Sequence, residues 1–578
     1  MARTRYIKTE HTDSFWNLPG GALRAVFREG YSKSDLRADL LAGTVVGVVA
    51  LPLSMALAIA VGVPPQLGLY TAIVAGIVTP LLGGSRFQVT GPTAAFIVVL
   101  APVLTRFGLA GLLVAGLMAG CVLLAMGLLR LGKLIQFIPY PVTTGFTAGI
   151  GTVIAVLQLK DFLGLRPAGT PDHFLDRVAT LARAWPTFNP YELGIGLFTL
   201  AILIGLPRLS RRIPAPLIAL PLAAVLALFL PGIATIGSRF STLVNGVLVH
   251  GIPRLPPLPV LPWNLPGPSG GPFALNLETI RLLASPAIAI ALLGAIESLL
   301  SAVVADAMAG TRHDPDAELL ALGVGNILCP FFGGIACTGA IARTATGIRY
   351  GSKSPIATLF HSLVILLSIL LLAPLIGYLP MASLAALLML VAWNMSEVRH
   401  FLHVLKVAPK SDVAVLVTCY LLTVVFDMVV AVTAGMILAS FLFMRRMAET
   451  SGGQLIEESQ AQRLHVPREA MLYQVNGPLF FGAAEAAMEA FRVIGVQPKV
   501  MILDLSAVPA MDVTGLVALE SALSRLAQQK VHAIIAGVRP QPLQVLRKAG
   551  IEEKPGLQFS DTVATAVSDA TGVLRLSK

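Results

Sequence analysis

Charge is what this chain has least of. Asp, Glu, Lys and Arg make up 13% of its 578 residues, where a soluble domain carries about 25%. So little charge argues against an ordinary water-soluble globular protein. Cysteine is also scarce: Cys121, Cys329, Cys337 and Cys419 all fall in or beside apolar runs, without metal-ligand spacing. They read as small inert hydrophobes rather than as a disulfide framework or a metal site. The first residues lack the charged, apolar and small-residue order of a signal peptide. No Walker loop, metal-ligand cluster or catalytic triad stands out, so an enzyme, a cofactor and a bound metal have no support.

What is present is apolar sequence. The hydrophobic share is 55% and the mean hydropathy is +0.79. Repeated long apolar runs predict a polytopic α-helical membrane protein. About fourteen transmembrane segments are expected, some too short to span alone. They cover 40–62, 66–82, 92–105, 109–129, 142–160, 191–206, 215–232, 280–304, 318–332, 338–349, 355–376, 380–397, 412–426 and 428–444.

The net charge of +11 has a membrane explanation. Arg86, Arg130, Lys133, Arg208, Arg211, Arg212, Arg312, Arg349, Lys353, Arg399, Lys406, Lys410, Arg445 and Arg446 fall on alternate connectors. The opposite short connectors are nearly free of Lys and Arg, Arg106 excepted. That bias orients a multi-pass chain with both termini in the cytosol, and it makes nucleic acid an unneeded partner. The membrane itself is the expected lipid partner.

The organisation follows from shifts in composition. Residues 1–37 read as a cytosolic N-terminal segment, with an amphipathic piece near Leu23–Phe27. The membrane-embedded domain covers 38–446, and a polar linker covers 447–464. A Pro- and Gly-rich stretch at 233–279, with Pro253, Pro256, Pro257 and Pro259, divides the membrane part into halves of seven segments. Two halves with an odd number of spans are antiparallel, which predicts a 7+7 inverted repeat. Residues 465–562 alternate strand and helix: strands near Met471–Val475, Val500–Leu505 and His532–Val538, and helices near Ala483–Val493, Thr514–Gln528 and Leu543–Ala549. That pattern predicts a small α/β domain. The 563–578 tail reads as loosely held.

Two stretches look like helices broken inside the membrane. Gly83-Gly84-Ser85-Arg86-Phe87-Gln88-Val89-Thr90-Gly91-Pro92-Thr93-Ala94 lies in the first half, and Gly333-Gly334-Ile335-Ala336-Cys337-Thr338-Gly339-Ala340-Ile341-Ala342-Arg343-Thr344 in the second. Each has a Gly pair, then Thr-Gly, then small residues. A helix starting within the bilayer exposes free N–H groups and the positive end of its dipole, which together attract an anion. The bland alternative is tight helix contact through small residues. Their matching positions in two halves favour an anion site and secondary transport.

Single residues sharpen this reading. Arg343 lies about one turn into the second half-helix, where it adds positive field and a two-donor fork for a dianion. Its alternatives are an ion pair with an acid or a place at a cavity rim. Glu297 is the acid best centred in an apolar span; a buried carboxyl is easier to protonate, which suits it to proton coupling. Its alternative is a fixed salt bridge to Arg343. Pro52, Ser54 and Met55 lie mid-span, where Pro52 frees a carbonyl or simply kinks a helix. Gln66 and Tyr70 read as interface glue or anchor, and His361 as a satisfied interhelical hydrogen bond. Asp306, Asp314 and Asp316 read as solvated charge near a loop, and Asp427 as a rim charge.

The chain resembles the sulfate permease (SulP) family, whose members carry a membrane domain followed by a cytosolic STAS domain. The likeness rests on Leu51-Pro52-Leu53-Ser54-Met55-Ala56, Gln66-Leu67-Gly68-Leu69-Tyr70, Gly83–Ala95, Gly294–Asp306 and Gly333–Thr344. In the tail it rests on Asp504-Leu505-Ser506 and Pro509-Ala510-Met511-Asp512-Val513-Thr514-Gly515. Gly91-Pro92-Thr93-Ala94-Ala95-Phe96, Lys160-Asp161-Phe162-Leu163-Gly164-Leu165 and Val391-Ala392-Trp393-Asn394-Met395-Ser396-Glu397 add a likeness to the family's C4-dicarboxylic acid carriers.

The resemblance implies a UraA-like fold with substrate between the two half-helix N-termini. Gly91, Pro92, Thr93, Ala94, Thr338, Gly339, Ala340 and Arg343 would then bind it, with the Thr93 and Thr338 hydroxyls as donors. Pro52, Ser54 and Met55 would line the cavity, and Glu297 would couple a proton, or sodium as in bicarbonate carriers. The implied activity is proton-linked uptake of succinate, fumarate or aspartate across a bacterial inner membrane; the alternative is sulfate or bicarbonate transport, or an anion channel. A homodimer and a cytosolic partner of the STAS domain are implied as well. By likeness to anti-sigma-factor antagonists Thr514 is a phosphosite candidate; helix initiation beside Asp512 is the plainer reading. A receptor signalling through the tail is a remaining rival from another class.

Overall fold

The computed structural model describes residues 19–133, 138–169, 171, 174–210, 214–244, 247–268, 271–426, 428–480, 484 and 498–576. The expected helix at 483–493, the rim charge Asp427, Arg211, Arg212 and most of the N-terminal segment lie outside them. The chain divides into two compact units, 1–436 and 437–578.

In the first unit, caps and helix breakers set the element boundaries. After α1 (Gly21–Glu29), α2 (Lys33–Val61) begins at a capping box in which Ser32 and Asp35 satisfy each other's backbone N–H. It runs to Gly62, whose left-handed conformation ends it. α3 (Pro65–Leu82) starts on a proline. α4 (Ile97–Leu128) is broken at Gly108, where φ is 69° and a Cβ would come 2.6 Å from the Gly267 carbonyl carbon. That break yields the two separate segments expected at 92–105 and 109–129. Next come α5 (Tyr140–Phe162), α6 (Phe174–Arg183), α7 (Pro190–Leu209), α8 (Ala215–Ala227) and the short α9 (Ile236–Arg239). The Pro-rich stretch then holds a hairpin, β2 (Ser241–Val244) with β3 (Val247–His250).

The second half repeats the scheme. α10 (Leu277–Ala309) is capped by Asn276, and α11 (Pro315–Phe331) by Asp314 with Pro315 in first position. α12 (Ile341–Arg349), α13 (Ile356–Ile376), α14 (Met381–Ser396), the amphipathic α15 (Val398–Val407), α16 (Lys410–Val425) and α17 (Met428–Thr450) follow. Each of the fourteen expected segments coincides with a helix or with one part of α4. Among the described residues, nine helices are long and apolar enough to cross a membrane. The second half-helix, α12, is shorter, and the first is the part of α4 before Gly108.

Packing obeys an exchange of the two halves. α2 packs on α13 as α10 packs on α4, and α3 packs on α13 as α11 packs on α4. Likewise α5 packs on α16 as α14 packs on α7. The elements that map onto each other meet directly: α5 with α14, and β1 (Thr90–Gly91) with β4 (Thr338–Gly339). A repeat related by a two-fold axis produces this pattern.

The second unit carries a five-stranded sheet of β5 (Gly452–Leu455), β6 (Ala470–Asn476), β7 (Val500–Ala507), β8 (His532–Ala536) and β9 (Leu557–Ser560), in that order. β5 pairs antiparallel with β6, and the remaining pairs are parallel. α18 (Glu458–Arg463), α19 (Val513–Gln528), α20 (Pro540–Lys548) and α21 (Val563–Leu576) complete it. Alternate strand residues face opposite ways. Tyr473, Met501, Leu503 and Ile535 share one core with Leu519 and Leu546; Leu472, Val500, Ile502 and Ile534 share another with Ala566, Ala570 and Leu574. Residues 563–576 are therefore no loose tail. They form the helix that covers the second face of the sheet, which parallel strands buried on both faces require.

Candidate functional site

The two half-helix starts meet. β1 and β4 pair antiparallel, Thr90 opposite Gly339 and Gly91 opposite Thr338. The Ala340 N–H extends the ladder to the Val89 carbonyl at 2.9 Å. This pairing sits in the middle of the helix bundle, with Thr90 and Thr338 fully buried. Because the pair is antiparallel, the turn at Ala94–Phe96 and the first turn of α12 leave the ladder at its opposite ends. Neither Thr93 nor Ala340 caps its helix with a side chain. The first-turn N–H groups of both half-helices thus keep their capacity to bind an anion.

Close backbone approach explains the glycines. A Cβ on Gly339 would collide with Gln88 Nε2, and one on Gly91 with Arg343 Nη1. Gln88 Nε2 donates to the Ser298 carbonyl and to its hydroxyl, both at 2.9 Å, tying the approach to β1 onto α10. Val89 N–H donates to Thr344 Oγ1 at 3.0 Å, and Thr358 Oγ1 to the Gln88 carbonyl at 3.1 Å.

Arg343 is 1% exposed. Its Nη2 donates to the Pro92 carbonyl at 2.9 Å and to Ser54 Oγ at 3.3 Å, while Nε and Nη1 have no protein partner. Ser54, two residues after Pro52 within the continuous helix α2, thereby contacts Arg343 of α12. Met55 is fully buried in the same turn.

Glu297 faces the first half-helix instead of Arg343. Its Oε2 accepts the Thr93 hydroxyl at 2.7 Å. The salt bridge to Arg343 weighed for both residues does not form. Both threonines depart from their expected donor roles: the Thr93 proton goes to Glu297, and the Thr338 hydroxyl donates to the Gly294 carbonyl at 2.7 Å and braces α10, so neither proton is offered to a ligand. His361 departs as well, since it is fully buried and neither ring nitrogen has a hydrogen-bond partner.

Several supports were not singled out from the sequence. Asn326 on α11 clamps the Cys337 backbone, donating to its carbonyl and accepting its N–H, both at 2.9 Å. Thr71 on α3 accepts the Ile335 N–H at 2.7 Å. Glu318 is 2% exposed and accepts the N–H groups of Gly84 and Ser85, each at 3.1 Å. Buried Asp39 accepts the N–H groups of Lys353 and Ser354, together with the Tyr31 and Ser354 hydroxyls. All four side chains hold the loops that flank the half-helices.

The acids near the 310–316 turn are not simply solvated. Asp306 accepts from His313 and Thr311, Asp314 caps α11, and nearly buried Asp316 accepts the Gly132 N–H at 2.9 Å. Gln66 and Tyr70 bond to Thr242 and to the Leu255 carbonyl, so they tie α3 to the Pro-rich connector. In the second unit Asp512 caps α19 by accepting the Gly515 N–H at 2.8 Å, and Thr514 is exposed on the first turn.

Comparison with known proteins agrees with this architecture. Residues 36–419 match the model of the sulfate permease family, and residues 461–566 match the STAS domain. The chain is 39% identical over 537 residues to YvdB of Bacillus subtilis (strain 168), which is named for sulfate transport; the match covers 92% of this chain and 97% of that one. It is 30% identical over 539 residues to the bicarbonate transporter BicA of a Picosynechococcus species, covering 89% and 91%. Its fold matches the murine Solute Carrier 26 family member A9 anion transporter in the inward-facing state, with a TM-score of 0.83 at 19% identity over 98% and 97% of the two chains. This chain belongs to the sulfate permease family: it is a multi-pass membrane protein that transports anions, with a C-terminal STAS domain, and it is not an enzyme. These two relatives are named for sulfate and bicarbonate, not for the C4-dicarboxylates of the finer sequence likeness.

Proposed function

We propose that this chain is a secondary transporter that takes up sulfate, or a similar small oxyanion such as bicarbonate, together with a proton. The observation that carries the reading is Arg343: a buried guanidinium with two unpartnered N–H-bearing nitrogens, beside two helix starts that lack side-chain caps. Two helix dipoles and one full positive charge suit a dianion better than a monoanion. The 39% identity to a relative named for sulfate points the same way.

Glu297 supplies the coupling. As a carboxylate it accepts the Thr93 hydroxyl and places negative charge beside the first half-helix. A proton on Glu297 removes that charge as the dianion enters, so proton and substrate bind together. Transport moves the half-helix group, α2–α4 with α10–α13, against a scaffold of α5, α7, α8, α14, α16 and α17, by elevation or rocking. Gly91, Pro92, Thr93, Ala94, Gly339, Ala340 and Arg343 contact the anion, while Pro52, Ser54 and Met55 line its approach. The protein works as a homodimer in a bacterial inner membrane with both termini in the cytosol, where the STAS domain receives a regulatory partner.

Proteoliposomes test the reading. Radiolabelled sulfate should accumulate with saturation, faster under an inward proton gradient and unaffected by sodium, and succinate should compete poorly. Gradient-driven succinate uptake without sulfate uptake would return the assignment to dicarboxylates. Sodium-stimulated bicarbonate uptake would move it to that anion. Currents without accumulation would mark a channel.

A further inference from the structure

His361 is a buried polar side chain that the transport site leaves unused. It lies on α13, fully buried, with both ring nitrogens unpartnered. Arg343, 1% exposed on α12, leaves Nε and Nη1 unpartnered. Both side chains border the same turn of α3. A Cβ on Gly76 would stand 3.2 Å from His361 Nδ1, and one on Gly91 would stand 3.6 Å from the Ala72 Cα and against Arg343 Nη1. Ser362, next to His361, donates to the Ala72 carbonyl at 3.4 Å.

Buried nitrogens on both side chains call for partners, because an unmade buried hydrogen bond is costly. A guanidinium only donates, whereas a neutral imidazole has one donor and one acceptor. A water between them would accept from Arg343 and donate to His361, as buried waters do for otherwise unsatisfied polar groups. We propose that a buried water site joins His361 to Arg343, making His361 a positioning residue for the guanidinium. Pro92 and Ser54 hold Nη2 from one side. The water holds the fork from the α13 side and fixes its plane toward the anion. This inference rests on the reading that Arg343 serves the anion site.

The test compares His361→Leu, His361→Gln and Arg343→Ala in sulfate uptake by proteoliposomes, each checked for monodispersity. His361→Leu should raise KM roughly five- to tenfold with Vmax within about twofold, and His361→Gln, which keeps a donor and an acceptor, should restore most of the affinity. Equal KM values for wild type, Leu and Gln variants would overturn the role of His361, provided Arg343→Ala still abolishes saturable uptake. If Arg343→Ala leaves uptake unchanged, the anion-site reading itself fails. Should the Leu variant not fold, a high-resolution cryo-EM map of the wild-type protein decides. Water density between Arg343 and His361 is the expected result, and dry apolar packing there rejects the inference.

Discussion

Arg343 Nη2 donates to the Pro92 carbonyl at 2.9 Å, so a side chain from the second half-helix is fastened to the backbone of the first. The bond joins residues 251 positions apart in sequence and from opposite repeats. It makes the charge of the site depend on the pairing of β1 with β4. The backbone pairing and the guanidinium form one unit, and changes in either should appear in anion affinity.

Gly339 tests the backbone part. A Cβ there collides with Gln88 Nε2, which is held by Ser298 from two sides. Gly339→Ala should lower transport by at least about tenfold while leaving the protein inserted and monodisperse, because the strain is local and costs on the order of 1–3 kcal/mol. Uptake kinetics and size-exclusion chromatography on the same preparation check this.

Glu297 tests coupling. In the wild type, sulfate uptake should rise as the outer solution is acidified, since the protonated form admits the dianion. Glu297→Gln is permanently uncharged, so it should flatten that pH profile and retain part of the binding. A profile unchanged in the Gln variant moves the proton to another group.

Asn326 tests the scaffold beneath the second half-helix. Asn326→Ala removes both partners of the Cys337 backbone in a buried setting. A loss of about 2–4 kcal/mol is expected for two buried groups left unpaired. It should show as a lower melting temperature in detergent. Asn326→Asp sets a buried carboxylate oxygen against the Leu322 and Cys337 carbonyls and should lose at least as much.

Much of this was legible because its physics is local. The lengths of the apolar runs and the Gly and Pro breaks gave all fourteen segments, including the division at Gly108. The repeated Gly-Gly and Thr-Gly pattern located the two starts that pair as β1 and β4. Asp39, Gln88, Asn326 and Glu318 were not legible, since each acts on a backbone more than ten residues away in sequence. The unpartnered state of His361 and the bracing role of the Thr338 hydroxyl depend on packing distances that spacing does not encode. The last helix was missed for another reason. Its buried positions, Ala566, Val567, Ala570 and Leu574, are mostly small and resemble a loose tail until the sheet face they cover is known.

That helix supplies the fourth expectation. Deleting 563–578 exposes Leu472, Val500, Ile502 and Ile534 on the open face of the sheet. Burial of a large apolar side chain contributes about 1.5–3 kcal/mol, so the truncated STAS domain should be degraded rapidly in limited proteolysis while the full-length domain resists. Equal resistance would mean that the helix is dispensable for the domain.

The most direct measurement is cryo-EM of the purified protein in sulfate and in gluconate. The account predicts density present only in sulfate, between the Arg343 guanidinium and the first turns at 94–96 and 341–343. Sulfate-dependent density elsewhere, with that space unchanged between the two conditions, would contradict it.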